Sequence, residues 1–229
     1  MSFGENIQFL RKMHRGMTQE ELAEKMSVSR QTVSKWELDN AFPEMEKAIA
    51  LCKLFSCTLD ELITGNLNDY SDQYLNLHIE TVPAFRYFQH TVISTEPEED
   101  AMSHIQKWTD LKQIHSPVII GWDFPYISQE QINVYHMHGY VAACILPDQY
   151  KSECDRIQDQ ASQNYAVITI KDPFKNPFHS IPNAYKTLMR YIDVNQFVHK
   201  ELKDVISCFE KAYVKDGTSF MDVYISIAS

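Results

Sequence analysis

A glutamate interrupts an otherwise apolar row of side chains near the C-terminus of this chain. Side chains alternate between the two faces of a strand. In a strand over 205–214, one face would carry Ile206, Cys208, Glu210, Ala212 and Val214. A register break, a bulge or an edge position would let Glu210 reach water. The alternative is a pocket in which a ligand cation offsets the cost of desolvating the carboxylate.

A second group of polar side chains could bind nucleic acid. In "TQEELAEKMSVSRQTVSKWEL" Thr18 and Glu21 have the spacing of a capping box, and Ser29 is a good N-cap for the helix that follows. That helix buries Val33 and Trp36. Its outward face is then polar, basic and amide-bearing, with Arg30, Gln31, Thr32, Ser34 and Lys35.

Five short helices fit the first 66 residues. The first runs from about Phe3 to His14, the second follows Thr18, the third follows Ser29, the fourth starts at Pro43, and the fifth lies between Thr58 and Gly65. We predict a helical domain over 1–66, a polar linker over 67–74 and a second domain over 75–229.

The second domain has the same rough order of elements twice: strand, helix, strand, strand. This repeat predicts an α+β domain with an internal pseudo-two-fold, an antiparallel sheet and two helices on one face of it. In the alignment of the two repeats, Tyr135 and His136 fall opposite Phe209 and Glu210.

Composition limits the classes of function. The net charge of −10 is uneven: residues 1–66 carry eight Lys/Arg and ten Asp/Glu, so only this part is neutral enough to hold nucleic acid. No apolar run is long enough for a membrane helix, which predicts a cytoplasmic protein without a membrane partner. No cofactor or metal is expected, because His136 and His138 form a pair without a third ligand nearby.

The N-terminal motif resembles the Cro/repressor-type helix-turn-helix family, also called the XRE family, over residues 5–66. The resemblance implies a five-helix DNA-binding domain in which Gln19 and Lys35 meet the DNA backbone. It also implies that Ser29, Arg30, Gln31 and Thr32 face base edges. The turn between the two motif helices often carries glycine in this family, whereas here it is Ser27. A two-fold operator and a homodimer are expected.

Residues 75–229 resemble the gyrase inhibitor-like effector-binding domain of multidrug-responsive regulators. The match is strongest in "YAVITI", "IPNAYKTLMRYI", "CFEKAYVKDG" and "MDVYISI". The resemblance implies a groove at the pseudo-two-fold that binds lipophilic cations and other aromatic small molecules. Its expected lining is Glu210, Tyr185, Tyr224, Trp122, Tyr140 and His136.

The two modules together predict a transcription regulator that senses a small molecule and is not an enzyme. One alternative is a small-molecule hydrolase in which Glu210 and Tyr224 act as base and proton donor. Another is a DNA-binding protein whose second domain binds a protein through a shallow, closed groove.

Overall fold

The computed structural model describes residues 2–67, 73–148, 150, 157–199 and 202–228. The chain divides into two compact units. The first combines 1–75 with 176–199 and 227–229, and the second combines 76–175 with 200–226. Residues 68–72 of the expected linker lie outside the described residues, and the domain boundaries stay a prediction. In the part of the chain that the structure describes, no helix has the length and apolarity to span a bilayer.

The first unit begins with the five expected helices: α1 (Phe3–Met13), α2 (Gln19–Met26), α3 (Arg30–Glu37), α4 (Met45–Leu54) and α5 (Leu59–Thr64). Thr18 and Thr58 form complete capping boxes, and the Ser29 hydroxyl accepts from the N–H of Thr32 at 3.1 Å. Helix α4 starts after Glu44 instead of at Pro43. Ser27 has a φ of 53°, the left-handed conformation for which the family often uses glycine.

A buried ion pair ties the first three helices together. Arg11 Nε lies 2.5 Å from Glu37 Oε1, and both side chains are nearly inaccessible to solvent. The other Glu37 oxygen accepts from Gln19 at 2.8 Å. A buried charge pair of this kind fixes geometry more than it adds stability.

Helix α8 (Pro177–Val194) belongs to the same unit, although it lies late in the sequence. Asn195, just beyond its end, donates to the Met13 carbonyl at 3.1 Å. Arg190 donates to Glu61 of α5 at 3.1 Å. The end of α8 is therefore held against α1 and α5.

An eight-stranded antiparallel sheet forms the second part of the fold. Its strands are β1 (Tyr74–Val82), β2 (Phe85–Ser94), β3 (Val118–Asp123), β4 (His138–Ile145), β5 (Ile157–Gln160), β6 (Gln163–Lys171), β7 (Cys208–Lys215) and β8 (Thr218–Ile227). The spatial order is β1-β6-β8-β7-β3-β4-β2-β5. Outward from the β7–β3 seam the order is β7-β8-β6 on one side and β3-β4-β2 on the other. The predicted repeat and fold class are confirmed.

Three details differ from the prediction. The stretch expected as a first long strand is two strands, β1 and β2, and β5 was not expected. The region expected to form one strand from Gln131 starts with a short helix, α7 (Gln129–Asn133), so Tyr135 and His136 precede β4. The strand opposite β7 is β3, and the repeat alignment that put His136 opposite Glu210 is wrong.

The two faces of the sheet have separate apolar clusters. On one face, helix α6 (Pro97–Leu111) packs through Ala101 and Ile105 against Tyr140, Ala142 and Cys144. The opposite face carries a large aromatic cluster that includes Tyr87, Tyr165, Phe209 and Tyr224. We call these the α6 face and the aromatic face.

Candidate functional site

Glu210 lies at the centre of the sheet, on the seam between the two repeats. It pairs with Gly121 of β3 and with Val223 of β8, so it is in a central strand without a register break. Directly paired residues point to the same face, and the register continues from Gly121 to Ala142. Glu210 is therefore on the α6 face, and it is half-buried.

Tyr140 covers the glycine opposite this carboxylate. A Cβ on Gly121 would lie 2.6 Å from both Cε1 and Cζ of the Tyr140 ring, and closer still to its oxygen. The ring therefore occupies the space left by the missing side chain. Its hydroxyl donates to Glu210 Oε2 at 3.4 Å, a long contact for an O–H···O bond.

Two further carboxylates lie close enough to influence Tyr140. Burial raises the pKa of the Tyr140 hydroxyl, and the charges of Glu210, Glu98 and Asp123 raise it further. Asp123 pairs with Tyr140 across β3 and β4, so both point to the α6 face. Glu98 is in the first turn of α6. Both of these carboxylates are exposed, whereas Tyr140 is buried.

The two exposed carboxylates, Glu98 and Asp123, which we call the rim carboxylates, repel each other. Desolvation raises the pKa of Glu98, and the charge of Asp123 raises it further. Desolvation also raises the pKa of Asp123, partly offset by His138. We call Glu98, Asp123, Tyr140 and Glu210 the acidic site. The charged forms of Glu98 and Asp123 are destabilised in the folded protein, and a bound cation would relieve this.

Two of the expected lining residues point the other way. Tyr224 pairs with Phe209, and their rings stack at a centroid distance of 4.3 Å on the aromatic face. Trp122 follows Gly121 and belongs to the same cluster, 6.1 Å from the Tyr87 ring. Adjacent strand residues face opposite sides. Tyr224 and Trp122 therefore cannot line one pocket with Glu210.

The other two expected residues are His136 and Tyr185. His136 is exposed, in the turn between α7 and β4, with a φ of 51°. Tyr185 is in α8, which belongs to the first unit. Of the six residues expected to bind the ligand, Glu210 and Tyr140 are brought together.

Sequence reasoning missed Gly121, Asp123 and Glu98. Gly121 and Asp123 lie in "GWDFP", where alternation puts them on one face with Trp122 on the other. That signal was available, but the register that joins them to Tyr140 and Glu210 was not. Glu98 belongs to the acidic start of α6, which by itself predicts only a helix N-terminus.

The polar face of α3 forms the second candidate site. Arg30, Gln31 and Lys35 are exposed, while Val33 and Trp36 are buried. Helices α1, α2, α4 and α5 each carry an acidic residue in the first turn, but α3 has none. Its N-terminal N–H groups and helix dipole are thus free of a nearby carboxylate, which suits contact with a phosphate backbone.

Two expected DNA contacts already have roles inside the domain. The Ser29 hydroxyl caps α3 and lies 2.9 Å from the hydroxyl of Thr32. Gln19 donates to the buried Glu37, which fixes its side chain at the start of α2. Both polar groups are held in defined positions by these bonds.

Comparison with known proteins supports the N-terminal assignment. Residues 7–62 match the helix-turn-helix family model. The HTH-type transcriptional activator BcrR of Enterococcus faecalis is 46% identical over 65 residues, which are 28% of this chain and 31% of that protein. The chain thus spans about a third of the length of this curated relative.

Two solved structures align with longer parts of this chain. The alignment with the cryo-EM structure of the EcmrR–DNA complex covers 97% of this chain and 81% of the EcmrR chain, at 11% identity and a TM-score of 0.49. SAV2435 bound to tetraphenylphosphonium covers 68% of this chain and 95% of its own, at 11% identity and a TM-score of 0.39. From the family match, the chain carries a helix-turn-helix domain of the XRE type at its N-terminus.

Proposed function

We propose that the chain is a DNA-binding transcription regulator that responds to a small lipophilic cation. Helix α3 contacts an operator, a homodimer matches its two-fold symmetry, and the acidic site binds the cation. The observation that carries the proposal is Glu210, half-buried at the seam of the sheet beneath Tyr140, in a chain that also has a helix-turn-helix domain.

The chemistry of the acidic site favours a cation over a neutral ligand. The rim carboxylates attract a positive charge from solution, and Glu210 pairs with it where water is partly excluded. The Tyr140 ring adds cation-π attraction of about 0.5 to 2 kcal/mol. Neither interaction demands a particular ligand shape, so one site can accept several aromatic cations.

Tyr140 controls access to Glu210 in this proposal. Its ring occupies the space above Gly121, and its hydroxyl contacts the carboxylate. A ligand enters by displacing that long hydroxyl contact and packing against the ring. The unliganded site is therefore closed by a side chain that can rotate.

Helix α8 is the connection between the two functions. It precedes β7, the strand that carries Glu210, and its end is bonded to α1 and α5 through Asn195 and Arg190. We infer that a change at β7 alters DNA binding through α8, the helix that precedes β7 in the sequence and contacts α1 and α5. Coupling of about 1 to 3 kcal/mol between the two sites is the usual range.

The decisive experiment measures both sites in the full chain. A duplex selected from a random library is titrated with protein, with and without tetraphenylphosphonium, and cation binding is followed by calorimetry. We expect the cation to change DNA affinity by about 5- to 150-fold. Triphenylphosphine oxide, a neutral aromatic, should have little effect.

Matched variants separate charge from structure. Glu210→Gln keeps the shape and removes the charge, and should weaken cation binding at least about tenfold. Glu80→Gln is the control, because Glu80 is a partly exposed carboxylate on β1 at the edge of the same sheet. Equal affinity in both variants would rule out Glu210 as the cation partner.

The hydrolase alternative required Glu210 and Tyr224 to act together on one substrate. Their side chains are on opposite faces of the sheet. No support remains for that pair as base and proton donor.

A further inference from the structure

Helix α4 presents a stripe of large apolar side chains to solvent. Met45 and Ile49, one turn apart, are 64% and 45% exposed, and Phe42 just before the helix is 67% exposed. Scattered apolar residues are normal on a surface, but a continuous row along one helix is not. We call Phe42, Met45 and Ile49 the α4 stripe.

A shallow depression lies at the other end of the same helix. It has a volume of about 480 Å³ and is lined by Ile49, Cys52, Lys53, Ser56, Cys57 and Leu59, among others. Burial raises the pKa of the Cys57 thiol to about 12, so this group is neutral. Lys53 and Glu61 also line the depression, so it offers apolar surface for a side chain beside one positive and one negative charge.

The stripe and the depression share Ile49 and extend from it in opposite directions. A two-fold interface is self-complementary: each surface contacts the other's counterpart. If two α4 helices pair antiparallel with Ile49 at the axis, residue n of one faces residue 98 − n of the other. Met45 then faces Lys53, and Phe42 faces Ser56, at the partner's depression.

Charges along α4 favour this antiparallel arrangement. Glu44 is the N-cap, Glu46 is in the first turn and Lys47 follows it, so this end has a net charge of −1, and Lys53 is in the last turn. Antiparallel pairing brings the acidic end of each helix to the basic end of the other. Parallel pairing would place like charges together, at a cost.

We propose that the α4 stripe is the surface through which two copies of this chain form a dimer, with Ile49 at the two-fold axis. The inference names the interface of the homodimer in the proposed function and rests on that function. A ten-residue helix is about 15 Å long, too short for a standard interface. The dimer is therefore weak in free solution and is strengthened on a two-fold DNA site.

The test is sedimentation equilibrium of the full chain without DNA or ligand, up to about 200 μM protein. Ile49→Arg should raise the dissociation constant at least about tenfold, because it puts two like charges at the axis and removes apolar burial. Ile63→Arg is the matched control, since Ile63 of α5 is equally exposed, at 47%, but outside the stripe. It should leave the dissociation constant unchanged.

The charges provide a rescue experiment. Lys53→Glu alone should weaken the dimer, and adding Glu46→Lys should restore it, because Glu46 faces residue 52 of the other copy, next to its Lys53, and both charges are then reversed. An Ile49→Cys variant should form a disulfide to its own counterpart under mild oxidation, identified by mass spectrometry against the unmodified chain. This readout remains valid if an arginine variant fails to fold.

Several results would overturn the proposal: a monomer at all concentrations, a dimer unaffected by Ile49→Arg, or greater weakening by Ile63→Arg. An Ile49→Cys disulfide formed only with other cysteines would also do so. None of these depends on the acidic site, so a cation that fails to change DNA affinity would count against the proposed function alone.

Discussion

The contact between Tyr140 and Gly121 predicts that Gly121→Ala destabilises the parent protein but stabilises a protein that lacks the Tyr140 ring. In Gly121→Ala the new Cβ would lie 2.6 Å from two atoms of the Tyr140 ring, well inside van der Waals contact. The ring must move by about 1 Å or leave its place, and overpacking of this kind costs ~1 to 3 kcal/mol. The variant should therefore be less stable than the parent chain.

Removing the ring should reverse the effect. In a Tyr140→Ala background the atoms nearest to the new Cβ are gone, and alanine in a strand is ~0.5 to 1 kcal/mol better than glycine. Gly121→Ala should then stabilise the protein. Urea unfolding of the four proteins gives the coupling energy as a double-mutant cycle, with an expected value of about 1.5 to 4 kcal/mol.

The same four proteins report on the site. Displacing the ring uncovers Glu210, so the Gly121→Ala variant should bind tetraphenylphosphonium with a faster on-rate than the parent. A coupling energy below about 0.5 kcal/mol, the usual limit of additivity, would show that the ring does not rest on this glycine.

Three further predictions concern charged or polar side chains. Asp123→Asn should raise the melting temperature at pH 7. The gain in the free energy of unfolding should be less than about 1 kcal/mol, because exposed charges are screened, and it should shrink as the pH falls toward 3.8. The substitution should also weaken cation binding. In the parent chain, cation binding should begin to weaken on acidification at a pH above the ordinary pKa range of carboxylates. A lower melting temperature of the variant at pH 7 would contradict the reasoning. Glu37→Gln leaves Arg11 buried without its charge partner and should cost ~3 to 5 kcal/mol in urea unfolding, against less than about 1 for Lys175→Ala at an exposed pair. Gln31→Ala should weaken binding to the selected duplex by ~1 to 3 kcal/mol with little change on random DNA, and equal losses on both would exclude a role in sequence recognition.

The signs behind the Asp123 prediction follow from its raised pKa. The folded state holds the proton more tightly than the unfolded state, so the charged carboxylate costs stability above its folded pKa. As the pH falls through that value the cost disappears. The asparagine variant lacks the cost at every pH, so its advantage is full above the folded-state pKa of Asp123 and is lost as the pH falls toward 3.8.

Local signals in the sequence were enough for the DNA-binding helices. A cap joins residues two or three apart, so Thr18 and Ser29 could be located from spacing alone. The same kind of signal is present at Ser128 and Gln131, whose capping box starts α7, although the residues around it predict a strand. The predicted start of α4 is two residues early, since a proline two residues before a helix resembles one inside it.

Which of the expected ligand-binding residues lie together depends on strand register, which spacing does not determine. A shift of one residue moves a side chain to the other face. Phe209 and Glu210 are adjacent and point to opposite faces, so the register between β7 and β8 decides which of them shares a face with Tyr224. Tyr224 pairs with Phe209. For the same reason, Trp122 and its neighbour Gly121, which pairs with Glu210, are on opposite faces of the sheet. The two residues that meet, Tyr140 and Glu210, are 70 positions apart in the chain.

The seam also limits how alike the two repeats can become. Strands β3 and β7 are corresponding strands of the two repeats and pair with each other, so Glu210 directly faces a position of the other half. A chain with the same residue at both positions would place carboxylate against carboxylate there, which is destabilising, or glycine against glycine, which has no charge. In this chain β7 supplies the charge and β3 supplies the room for Tyr140. The proposed cation site therefore requires two different residues at this pair, and a sequence that made the two positions alike would remove it.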